Sequence, residues 1–150
     1  MVNVNVANDI DARALAEGLR PVLFKLTREL RRELHKLNVT VGQVALLVAI
    51  HKQPGIGVRE LAVQERISPA AMSGYVERLA RAGLLERTPD AFDRRRHGLS
   101  VTPAGERLLR SVRSRRTAWL AARLARLSPA DRAAVDAAVE PLAKLLEDAE

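Results

Sequence analysis

There is no cysteine among the 150 residues of this chain, which excludes disulfides, thiolate nucleophiles, thiol redox sensing and cysteine-ligated zinc together. Aromatic residues make up only 3% of it, so a core has to be built from Leu, Val and Ala, a choice that favours helices. No run approaches the roughly 18 apolar residues of a membrane span. Residues 1–10 have neither the basic start nor the apolar block of a signal peptide. The expectation is a soluble, cytoplasmic protein without a membrane partner. His35, His51 and His97 stand apart, with no i, i+4 partner or acidic neighbour at ligand spacing, so they read as ordinary surface or core residues and no metal or cofactor is expected. A nucleophile paired with a base and a glycine-rich phosphate cradle are missing as well, and the chain does not read as an enzyme.

What the chain has in excess is positive charge, a formal +7, which suits a polyanionic partner without naming one. Its distribution is uneven. Residues 104–127 carry seven basic side chains and one acidic, whereas residues 128–150 carry two and six. The excess therefore sits in one Arg-rich helix, and the acidic segment after it has the opposite sign to pair with it. The length suits one domain, or a small domain with an oligomerisation element, and not two independent domains.

Helical periodicity begins after Asn8 or Asp9 as a cap, with Asp11 in the first turn, and runs through Leu15, Leu19, Leu26, Leu30 and Leu37, with a kink expected at Pro21. Thr40 with Gln43 makes a capping box for a second helix whose apolar face is Val44, Leu47, Val48 and Ile50, and Pro54-Gly55 stops it. Gly57 caps a short third helix with Glu60 at its third position. Ser68-Pro69 starts a fourth, roughly Pro69 to Ala82, with Met72, Val76 and Leu79 on one side and Gly83 as the C-terminal left-handed residue. Residues 84–87 and 98–101 read as short strands flanking a polar loop of about ten residues. Thr102-Pro103 and Ser128-Pro129 open two final helices, with apolar positions Leu108, Leu109, Val112, Trp119, Leu120, Leu124 and Leu127, then Val135, Val139, Leu142, Leu145 and Leu146. A kink or local break is expected at Pro141. One chain of this length would struggle to cover all these faces itself, so the terminal helices are expected to pack against a second copy.

The order of a capped helix followed by a basic hairpin is that of a winged helix. From Thr40 to Glu106 the chain resembles the MarR family of bacterial winged-helix transcription regulators: Pro54-Gly55 before Arg59-Glu60-Leu61-Ala62, Val76-Glu77-Arg78-Leu79 before Gly83-Leu84-Leu85-Glu86-Arg87, and Asp93-Arg94-Arg95-Arg96-His97 before Thr102-Pro103-Ala104-Gly105. The resemblance implies a mainly α fold with a small β-hairpin wing. Residues 1–39 and 103–150 would form a helical dimerisation region and residues 40–102 a winged helix-turn-helix lobe. It further implies an obligate homodimer that represses transcription from double-stranded DNA carrying an inverted-repeat operator, and release when a small, anionic or aromatic effector binds between the lobes.

A helix in the major groove reads base edges with residues near its N-terminus, while cations on a wing follow phosphates or enter the minor groove. The groove-facing candidates are Ser68, Pro69, Ala70, Ser73, Gly74 and Glu77, with Ser73 the best hydrogen-bonding group. The family habit of an arginine near Gly74 is not followed here, so thymine methyls and DNA shape gain weight over direct readout. Arg78 either reaches a phosphate or pairs with a wing acid such as Asp93. Arg95 matches the arginine of the family's Asp-x-Arg motif and is assigned to the minor groove, Arg94 and Arg96 to phosphates, and Asp93 to orienting the wing. Trp119 is dimer core or the wall of a ligand pocket. Arg107, Arg110 and Arg113 recognise an anionic effector, approach DNA, or form a solvated face paired with acids. Two other functions remain open at this point: a small-molecule-sequestering module on the same fold, and a low-specificity architectural DNA binder.

Overall fold

Among the described residues, five of six helices begin where a short polar side chain closes the first turn. The computed structural model describes residues 10–89 and 97–147. In chain order these form α1 (Ala12–His35), α2 (Val41–Lys52), α3 (Val58–Gln64), α4 (Pro69–Arg81), β1 (Leu85–Pro89), β2 (His97–Val101), α5 (Pro103–Leu124) and α6 (Pro129–Lys144). Asp11, Thr40, Ser68, Thr102 and Ser128 each accept a hydrogen bond from an amide of the first turn, and Gly57 caps α3 without a side chain. At Thr40 the capping box is complete, since its own amide donates to Gln43 Oε1 at 2.9 Å. The start of α1 differs from expectation: Asp11 is itself the cap, taking the amide of Arg13, while Asn8 and Asp9 lie outside the described residues.

The main core lies between α2, α3, α4 and the hairpin, around Leu47, Ile50, Leu61, Met72, Val76, Leu79 and Leu99. Each fully buried side chain of this kind contributes about 1.5–3 kcal/mol relative to exposure. Leu46 belongs to this core although it lies off the predicted apolar face, because α2 packs on two sides. On its other side Val44 joins Leu34, Val39 and Val112 in a second cluster. Leu108 and Leu109 pack against both clusters, so the first turns of α5 belong to the lobe as much as to the terminal helices.

β1 and β2 pair antiparallel from Leu85 opposite Val101 to Pro89 opposite His97. The strands therefore reach further out than expected, leaving residues 90–96 between them, and Leu84 precedes β1. A third backbone segment joins this hairpin: the amide of Gly55 donates to Leu99 O (2.8 Å), and that of Leu99 to Ile56 O (2.9 Å).

The helix does not break at Pro141, since α6 continues to Lys144. Proline removes only one amide bond there, in the last turn, and the residue is exposed, so water reaches the carbonyl left free. Likewise, none of Val135, Val139, Leu142, Leu145 and Leu146 is buried within the chain. The same holds for Leu15, Val22, Leu23, Phe24 and Leu26 of α1. α1 is continuous through Pro21.

Candidate nucleic-acid interface

The turn between α3 and α4 sets the outer face of α4. The amides of Arg66 and Ile67 fold back onto the carbonyls of Val63 (3.2 Å) and Ala62 (3.0 Å), ending α3 with Arg66 in the left-handed region at φ 54°. Two residues later Ser68 turns the chain into α4, its Oγ accepting from Ala71 N at 3.2 Å, with Pro69 where a missing amide costs nothing.

Helical spacing then divides the side chains of α4 cleanly. Met72, Val76 and Leu79 are buried, while Ala70, Ser73, Gly74, Glu77 and Arg78 are exposed away from them and Ser68 and Pro69 are exposed at the start of the helix. A Cβ at Gly74 would touch nothing within 4 Å, so the helix backbone itself is open to close approach there. Glu77 is held by Arg81 in an exposed i, i+4 pair at 2.9 Å. The guanidinium of Arg78 lies over the Tyr75 ring, 5.0 Å from its centroid. Both residues line a cavity of about 490 Å³ whose other walls include Thr40, Leu46, Glu65 and Ile67.

The hairpin beside α4 is anchored by the buried Leu85 and Leu99 and by Gly98, which lies against Gly55. Asp93, Arg94, Arg95 and Arg96 lie outside the described residues.

A second concave region lies between α2 and α5. His51 Nδ1 and Glu106 Oε1 are 2.7 Å apart, and Arg110, Arg113 and Arg116 line the same groove of about 480 Å³ above Val44, Leu109, Val112 and Leu120. Among the described residues the buried Nε of Arg116 has no hydrogen-bond partner. The groove therefore joins apolar walls to cationic side chains, one with unused donor capacity. Arg110 and Arg113 both line this groove, and Trp119 does not. Arg123 stacks on its ring instead, at 3.6 Å. The His51–Glu106 pair went unseen in the sequence, since 55 residues separate its members and neither has a distinguishing neighbour. Among the described residues, no three His, Asp or Glu side chains are grouped to hold a metal.

Comparison with known proteins gives these features a context. A model of the MarR family matches residues 39–97, from two residues before α2 to the first residue of β2. An HTH-type transcriptional regulator of Mycobacterium bovis is 31% identical over 140 residues, covering 93% of this chain and 97% of that protein. The HTH-type transcriptional repressor MdtR of Bacillus subtilis is 29% identical over 104 residues, 69% of this chain and 67% of the repressor. The backbone is also similar to that of a point mutant of Staphylococcus aureus MepR bound to an oligodeoxyribonucleotide, with a TM-score of 0.71 and 21% identity over 89% of this chain and 98% of that one.

Proposed function

Because the chain belongs to the MarR family of transcriptional regulators, we propose that it acts as a homodimeric repressor, holding an inverted-repeat operator with α4 and the wing and releasing it when a small anionic or aromatic ligand binds. The observation that carries this reading is the division of α4: an exposed face of small and hydroxyl residues opposite a fully buried one. Ser68 and Ser73 then offer hydroxyls to base edges, while Pro69, Ala70 and Gly74 permit close approach and contact with thymine methyls. Arg78, Arg94 and Arg96 meet phosphates, Arg95 enters the minor groove, and Asp93 orients the wing. Repression is supported by the likeness to MdtR.

Dimerisation is supported by the uncovered apolar residues of α1 and α6 and by the opposite charge of residues 104–127 and 128–150. In this division residues 1–39 and 103–150 join the protomers, and residues 40–102 form the DNA-reading lobe. The α2–α5 groove is the effector site, with Arg110, Arg113 and Arg116 supplying cations above apolar walls.

Fluorescence anisotropy with a duplex selected by the protein from a random library tests the DNA reading. Neutralising roughly 6 to 10 phosphates predicts a loss of about three to five decades of affinity between 50 and 200 mM salt. A flat salt response would sink the proposal. Equal affinity for selected and random duplexes would instead make the protein an architectural binder. For the groove, benzoate should raise the thermal midpoint of the protein and leave that of Arg113→Ala unmoved.

A further inference from the structure

Three elements meet at Thr102, and its hydroxyl uses both of its hydrogen-bonding capacities there. Oγ1 accepts from the amide of Gly105 at 3.1 Å, closing the first turn of α5. The same hydroxyl donates to the carbonyl oxygen of Gly83, the left-handed residue at φ 75° that ends α4. The backbone amide of Thr102 donates to Leu84 O at 3.1 Å. Gly105 completes the contact, because a Cβ at that position would overlap the carbonyl oxygen of Leu84 and Cγ1 of Val101. The start of α5 is thus seated against residues 83–84, with no side chain between the two backbones.

We propose that Thr102 is a positioning residue for DNA binding, its hydroxyl locking the end of α4 to the start of α5 so that the two helices move as one piece. The inference rests on the reading of α4 as the DNA-contacting helix. Without the hydroxyl the seat rests on the Thr102 amide bond to Leu84 O and the pairing of Leu85 with Val101, and α4 is left to pivot at Gly83, whose backbone is the least restricted of any residue. With the hydroxyl in place, a displacement of α5, the helix that carries Arg110 and Arg113, reaches α4 at Gly83. A single side-chain oxygen has to donate to one carbonyl and accept from one amide at short reach, which serine also does and valine cannot.

The test compares duplex affinity, thermal midpoint and amide hydrogen exchange in the wild type, Thr102→Ser, Thr102→Val and Ser128→Ala. The last variant removes the equivalent cap of α6, where Ser128 Oγ accepts from Asp131 N, and so measures cap loss away from the lobe. Thr102→Ser should bind the selected duplex within about twofold of wild type. Thr102→Val should lose tenfold or more, while Ser128→Ala keeps its affinity. Without DNA, exchange at residues 83–84 and in the last turn of α4 should rise in Thr102→Val and stay unchanged in Ser128→Ala. Failure of Thr102→Ser to preserve affinity, or unchanged exchange in Thr102→Val, would overturn the proposal. The exchange readout needs no duplex, so it decides the lock even if the wild type proves not to bind DNA, an outcome that would sink the DNA reading alone.

Discussion

A Cβ placed on Gly98 would lie 2.7 Å from the carbonyl oxygen of Gly55, so β2 and the turn after α2 meet backbone to backbone. The obstructing atoms are main chain and have no rotamer to escape into. Gly98→Ala should therefore cost about 1–3 kcal/mol, the usual range for overpacking, and lower the thermal midpoint. Chemical denaturation of the two proteins side by side checks it. A stability equal to wild type would mean that β2 is not packed on Gly55 in this way.

Arg66 offers the opposite case. The same pair of backbone bonds that ends α3 also follows α1 and α4, with Asn38 and Gly83 in the left-handed position, both residue types that tolerate it. Arginine does not, so Arg66→Gly should raise stability by about 0.5–1 kcal/mol, the relief of strain exceeding the added freedom of the unfolded chain. A measured loss would show that the arginine side chain stabilises the turn by more than its backbone strains it.

For the wing, the expected signature is a loss of binding without a loss of fold. Arg95→Ala should weaken duplex affinity at least tenfold and reduce the salt slope, leaving the thermal midpoint within about 2 °C of wild type. Unfolding of this variant would contradict its assignment to the DNA surface.

The terminal helices yield a prediction about mass. Val139 is 62% exposed in the single chain, so a charge there costs a monomer little. Val139→Glu on both faces of a two-fold interface buries like charges, and should convert the proposed dimer to a monomer in sedimentation equilibrium with only a small change in helicity. A variant that keeps the mass of the wild type would place the interface elsewhere.

Five helix starts were legible in the sequence, at Thr40, Gly57, Ser68, Thr102 and Ser128, four of them because a side-chain cap is a bond across three residues and needs no knowledge of the rest of the chain. The buried face of α4 was legible for a related reason, since Met72, Val76 and Leu79 repeat at the helical period. The burial of Leu46 was not, because periodicity assumes one apolar side and α2 has two.

The sequence by itself therefore determined the elements, their order and the exposed face of the fourth helix, all of which depend on bonds and periods a few residues long. Only the tertiary structure decided that Gly98 touches Gly55, that His51 meets Glu106, and that one hydroxyl of Thr102 joins the end of α4 to the start of α5. These contacts close over 19 to 55 residues, and each partner looks ordinary alone. Their meeting follows from the packing of the core between them, which no local pattern records.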